Sequence, residues 1–218
     1  MARVFKEYRY YTKEEIEYRA NNILRRMHRR GSQFAPSWPF DASLVADFLD
    51  LGVVWDYIPP DEYGHIAARI LPLQQQIEIN EAILDKPQGF QESTLAHEIG
   101  HWVLHVNQEV AEGSAEASEE DLFVCRGKTN LPQLESIEWQ AQYFASCLLM
   151  PRHVLEEKSQ ERDLTRWRHL YEIREELGVS ISNLVNRLQD LKWIIIPQGT
   201  RQIYPGEAVV NGEMRLFG

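Results

Sequence analysis

Apolar positions recur at helical spacing in several stretches of the chain, and two short segments between them alternate as strands do. Thr12 followed by Glu15 has the form of a capping box. Ile16, Ala20, Ile23, Leu24 and Met27 then repeat to about Arg29, which predicts an amphipathic first helix. Gly31 to Trp38, with Pro36 and then Pro39, reads as a connector into a second short helix from about Asp41 to Asp50. Leu44, Val45, Phe48 and Leu49 are its buried face, and Gly52 is its stop. Val53 to Ile58 is rich in β-branched and aromatic residues and ends at Pro59-Pro60, as a strand would. Two more strands are expected at His65 to Leu71 and Gln75 to Asn80, broken near Pro72. Together these predict a small, mainly antiparallel sheet leading into the next helix.

That helix covers Ser93 to His105, and Leu95, Ala96, Ile99, Trp102 and Val103 make it apolar on most sides. Such a helix is buried, and buried histidines need partners. His97-Glu98-Ile99-Gly100-His101 lies inside it. At about 3.6 residues per turn His97 and His101 stand one above the other on one face, where two imidazoles can share a zinc ion. Glu98 follows about 100° further round, able to touch a metal-bound water without ligating the metal, which is where a general base is wanted.

Catalytic zinc takes three protein side chains and leaves a position for water, so a further ligand is required. His105 is one candidate, but on a straight helix it lies about 12 Å along the axis from His97, while metal–nitrogen bonds are about 2 Å long. No helix breaker separates His101 from His105, which is expected instead at the cleft edge or at the helix C-terminus. Glu138 is the other candidate. It is expected to begin a helix running to Pro151, with Phe144, Ala145, Leu148 and Leu149 buried and Ala141 giving room for close helix approach. Between these halves, the stretch from Val106 to Cys125 has six acidic residues and no Lys or Arg, and reads as a solvated connection that could border a substrate cleft.

In the final third, Leu164 to Leu177 reads as a helix closed by Gly178. Val179, Ser180 and Leu184 then fit the N′, N-cap and N4 positions of another helix ending near Leu191. This is helix-turn-helix spacing. Trp193 to Ile196 and Arg201 to Phe217, with turns at Gly206 and Asn211-Gly212, would add a wing-like β segment. Groove-reading helices are studded with Arg, Lys, Asn and Gln; this one offers Asn183, Asn186 and Gln189, but only Arg187 as a cation before Lys192, against Asp190. The pattern favours an interaction or scaffold module over a DNA reader.

Composition narrows the classes further. The 218 residues carry a formal net charge of -10, which argues against a phosphate-backbone binder. With 44% hydrophobic and 11% aromatic residues the chain can bury a substantial core. Its N-terminal residues lack an apolar leader, and no run long enough to span a membrane occurs, so a cytoplasmic location is expected. Cys125 and Cys147 do not make a disulfide framework, and Cys147 sits where core packing is expected.

The pairing of TLAHEIGHWVLH with EWQAQYFASCLLMP resembles the ImmA/IrrE family of zinc metallopeptidases. The likeness extends over roughly residues 13 to 195, including the Ile77-Glu78-Ile79-Asn80 segment and the Val179-Ser180 helix. The resemblance implies that His97 and His101 are the histidine ligands of one zinc ion per chain, Glu98 the catalytic glutamate and Glu138 the third ligand. The separation of His101 from Glu138 is long for this family, and the acidic stretch accounts for the excess. Gln142 stands where the family more often has Asn, and is the first candidate for orienting a ligand. Tyr143 and His105 are further candidates for orienting a ligand, and Tyr143, His105, Arg152 and His153 are the candidates for an oxyanion donor.

The expected fold is therefore α+β. Residues 1–160 are expected to form a mainly helical, zincin-like metallopeptidase domain with a small antiparallel sheet. Residues 161–218 are expected to hold helix-turn-helix-like helices and a β segment packed on it. The implied activity is zinc-dependent, site-specific cleavage of a helix-turn-helix transcriptional repressor in a stress, phage or mobile-element response. The alternative is a non-catalytic protein in which zinc pins two helices while the C-terminal helices bind a transcription factor or DNA. Glu98 favours the enzyme, because structural zinc sites are closed by four Cys or His ligands and have no use for a carboxylate beside an open position.

Overall fold

The computed structural model describes residues 4–62, 64–113, 123–124 and 132–210. The first helix, α1 (Lys13–Arg30), forms as its sequence predicts. Thr12 accepts from the Glu15 backbone, the Glu15 carboxylate accepts from the Thr12 backbone, and Ile16, Ala20, Ile23, Leu24 and Met27 are buried. A short α2 (Ser43–Phe48) follows. It ends earlier than Gly52, because the chain turns at Asp50, which takes the left-handed conformation with φ 56°.

Three strands come next: β1 (Gly52–Asp56), β2 (Ala68–Leu71) and β3 (Gln76–Asn80). β2 and β3 form an antiparallel hairpin through a tight turn at Pro72–Gln74, closed by Gln75 at φ 49°. Ile77 and Ile79 point into the core, while Glu78 on the opposite face meets Arg69 at 2.6 Å. β1 pairs with β3 in parallel, so the sheet is mixed, in the order β1-β3-β2 with a further short strand beside β2. β1 ends and β2 begins at the same end of the sheet, beside Asn80 and Ile79 of β3, so the chain reverses into β2 and again into β3, which leaves β1 running in the direction of β3. Buried Asn80 locks this corner. Its amide donates to the carbonyls of Ile58 and Ile66 at 2.8 and 2.7 Å, and its side-chain oxygen accepts from Ala82 N.

Helix α3 (Gln88–His105) packs on β2 and holds the HEIGH motif. Its last carbonyls, which no helical turn can satisfy, are met by the N-terminal segment. Lys6 N donates to His105 O at 2.8 Å, the Tyr11 hydroxyl to Leu104 O at 3.4 Å, and Lys6 Nζ to Val103 O at 3.5 Å. Phe5 and Val106 form a bridge beside them. Within the acidic connection lie two elements, α4 (Gln108–Gly113) and β4 (Phe123–Val124), the second pairing antiparallel with β2. α5 (Pro132–Leu149) then begins six residues ahead of Glu138. Glu138 therefore sits in the second turn rather than at the helix start, with a continuous ladder on both sides of it.

By internal packing the chain divides into two units, residues 1–37 with 41–148, and residues 38–40 with 149–218. In the second unit α6 (Arg152–Lys158) precedes α7 (Trp167–Leu177) and α8 (Ile181–Asp190). α7 is closed by Gly178 in the left-handed conformation (φ 70°), and Ser180 caps α8 by accepting from Asn183 N at 3.1 Å. Arg187 is fully buried and its Nε donates to Met150 O. The β segment consists of β5 (Ile194–Ile195) and β6 (Tyr204–Pro205), an antiparallel pair. A short α9 (Glu207–Val210) starts at the position where Gly206 was expected to turn a hairpin. The expected turn at Asn211-Gly212 lies outside the described residues, as does Cys125. The fold is α+β, with a small mixed sheet and a second, two-stranded antiparallel one. Among the described residues no helix is long and apolar enough to cross a membrane.

Candidate metal centre

Two helices build the site. α3 supplies His97 and His101, one turn apart on one face, and α5 supplies Glu138. Close approach of the helices comes from two small residues. A Cβ added to Gly100 would lie 2.9 Å from Ala141 O and 3.2 Å from the Phe144 ring, so the glycine of HEIGH lets one backbone touch the other. Gly100→Ala is expected to cost about 1–3 kcal/mol. It should also weaken metal binding by pushing Glu138 away from the histidines, measured by thermal melting and by chelator competition. An unchanged melting temperature and affinity would show that the helices can part freely.

The three side chains converge. His97 Nε2 is 3.0 Å from His101 Nε2 and 3.1 Å from Glu138 Oε2, and His101 Nε2 is 3.4 Å from Glu138 Oε1. Tetrahedral zinc with bonds of about 2.0–2.1 Å sets its ligand atoms about 3.3 Å apart. Two imidazole nitrogens and a carboxylate at these separations are a donor set that fits zinc. The histidines are buried, whereas the Glu138 side chain keeps 21% of its exposure, so the centre is reached from the Glu138 side. That is the side from which water or a substrate could enter.

Electrostatics suit the same use. Burial, with the neighbouring His97 charge, outweighs the pull of Glu138 and lowers His101 to about 4, so its ring is neutral at pH 7. Burial alone would raise Glu138, but hydrogen bonds and charge from His101 and His97 bring it down to about 2, so it is a carboxylate. His97 is also pressed down by burial, yet the Glu138 hydrogen bond and the charges of Glu98 and Glu138 win and its pKa rises. Glu98 is fully buried beside His97.

The remaining sequence candidates separate clearly. Gln142, one turn after Glu138, accepts a hydrogen bond from the His97 ring. Tyr143 is buried in an aromatic stack, its ring 5.6 Å from that of Trp139, which in turn lies 6.1 Å from Tyr10. Arg152 and His153 are exposed on α6, in the second unit. His105 lies neither at an exposed cleft edge nor as a cap on the helix end. It is buried, with Nδ1 3.1 Å from His101 Nδ1. His105 lies outside the cluster of His97, His101 and Glu138, but helical spacing, His101 to His105, puts these two rings in contact.

Comparison with known proteins agrees with this geometry. A solved structure, a Mycobacterium tuberculosis transcriptional regulator, superposes with a TM-score of 0.50 at 16% sequence identity. The match covers 87% of this chain and 48% of that one, so the chain spans about half the length of that protein. No curated protein matches the sequence. The Peptidase M78 family model, described as the IrrE N-terminal-like domain, matches residues 60–189, a span that contains the histidine pair of α3 and the carboxylate of α5. With more than half of its length matched, and the ligand-type residues of two distant helices brought together inside the match, the chain belongs to the IrrE N-terminal-like peptidase M78 family.

Proposed function

We propose that the protein is a zinc-dependent endopeptidase in which His97, His101 and Glu138 hold one zinc ion and Glu98 is the general base. The observation that carries this reading is the convergence of two imidazoles and one carboxylate at zinc-ligand spacing, with a buried glutamate beside them. A zinc ion held there would bring the pKa of a water down towards about 7 and polarise a peptide carbonyl. The chain's own residues do the rest. Neutral His101 and ionised Glu138 are ready to ligate without first losing a proton. Glu98 takes the proton from the attacking water and passes it to the leaving nitrogen. Gln142 holds the His97 ring in place.

The substrate we propose is a helix-turn-helix transcriptional repressor, cleaved at one site to release stress, phage or mobile-element genes, as the family resemblance implies. The Mycobacterium tuberculosis structure's description as a transcriptional regulator is compatible with work near gene control. Direct DNA reading by α8 is disfavoured: Arg187, its one cation, is buried against Met150 O, and the exposed positions are Ser182, Asn186 and Asp190. The test is incubation of the zinc-loaded protein with a purified helix-turn-helix repressor. Defined fragments should form, vanish with chelator and return with added zinc. An intact repressor in all three conditions would remove this substrate, and failure on a peptide library as well would remove the peptidase.

A further inference from the structure

Three imidazoles stand in a row on α3, at positions 97, 101 and 105, yet only the first two face Glu138. His101 is the middle member and uses both nitrogens. Its Nε2 points at His97 and Glu138, and its Nδ1 lies 3.1 Å from Nδ1 of His105. Two imidazoles facing each other nitrogen to nitrogen at this distance hold a single hydrogen between those atoms. Two hydrogens would collide, and none would set lone pair against lone pair. A metal ligand needs its lone pair on the coordinating nitrogen, which for His101 is Nε2, and so the hydrogen must reside on Nδ1. His105 Nδ1 is then the acceptor.

Deepening the zinc-peptidase reading, on which it rests, we propose that His105 is a positioning residue: its bare Nδ1 accepts a hydrogen bond from His101 Nδ1–H and fixes His101 in the tautomer that can ligate through Nε2. His105 is pinned through its backbone at the end of α3. Its backbone oxygen is tied to Lys6 N, and the preceding carbonyl, Leu104 O, to the Tyr11 hydroxyl. The ring is buried, and fully buried Gln140 acts on it from α5. The usual outer partner of a zinc histidine is a carboxylate, carbonyl or water. An imidazole in that place adds no negative charge beside the Glu138 carboxylate that meets the Nε2 atoms of the pair, and a zinc ion held there would keep a net positive charge for polarising substrate.

The experiment uses the full chain and Zn2+ alone. Nitrogen-15 shifts of the imidazoles in the metal-free protein should report His101 protonated at Nδ1 and His105 bare at Nδ1. The reverse assignment would overturn the proposal. His105→Phe keeps a ring of similar shape but has no acceptor, and should weaken zinc binding by about 10- to 100-fold in chelator competition. His105→Asn, whose side-chain oxygen can stand near the Nδ1 position, should restore affinity to within about threefold of wild type. A folded His105→Phe protein that binds zinc as tightly as wild type would overturn the role of His105 while leaving the zinc site standing. A wild-type chain that takes up no zinc would instead overturn the metal reading and this inference with it. Should both variants fail to fold, the nitrogen shifts of the wild type decide.

Discussion

Glu98→Gln is expected to leave zinc bound and to stop peptide hydrolysis. The substitution keeps the size and shape of a fully buried side chain, so packing around α3 is preserved. An amide cannot accept the proton of the attacking water. Loss of general-base catalysis is worth about 10²- to 10⁴-fold in rate, and because the same group is expected to return the proton to the leaving nitrogen, the upper part of that range applies. The measurement is the initial rate of substrate cleavage at matched zinc content, with affinity checked by chelator competition. Turnover near the wild-type rate in the zinc-loaded variant would remove Glu98 from the chemistry.

Glu138→Ala is expected to have the larger effect on metal. Replacing one of three protein ligands should exceed the roughly 10- to 100-fold loss typical of removing an outer hydrogen-bond partner. The carboxylate also balances the two imidazoles: its hydrogen bonds help to raise His97 and oppose the downward shift that burial imposes on His101. Its side chain is partly exposed and lies within a continuous helix, so truncation opens no core cavity and the fold should persist. Competition with a chromophoric chelator, alongside a thermal melt of the metal-free protein, separates ligand loss from unfolding. An unchanged zinc affinity would exclude Glu138 as a ligand.

What could be read in advance was local. The Thr12 and Glu15 capping box, the buried stripe of α1, the Ser180 cap and the Gly178 stop each depend on residues within one or two turns, and each appears as expected. The HEIGH pair is legible for the same reason, since helix geometry alone stacks its histidines. Pairings between distant segments were not legible. Parallel alignment of β1 with β3, and the seating of β4 against β2 from within an acidic stretch, are decided by tertiary packing that leaves no period in the sequence. The start of α5 lies ahead of the expected one at Glu138, because Pro132 is tolerated in a first helical turn and does not mark a break there. Helical spacing makes His105 a candidate for orienting a ligand, but the meeting of its Nδ1 with that of His101 depends on ring orientations that the sequence does not carry.

The tie between the first residues of the chain and the end of α3 bears on how the protein is made. Lys6 meets His105 and Val103 across nearly a hundred intervening residues, and Glu138 must join from the other direction. No contiguous stretch can assemble these partners, so long loops have to close before any of them is held. Uptake of the proposed zinc would therefore come late in maturation, since a nascent chain emerging from the ribosome lacks the Glu138 carboxylate until α5 has been synthesised.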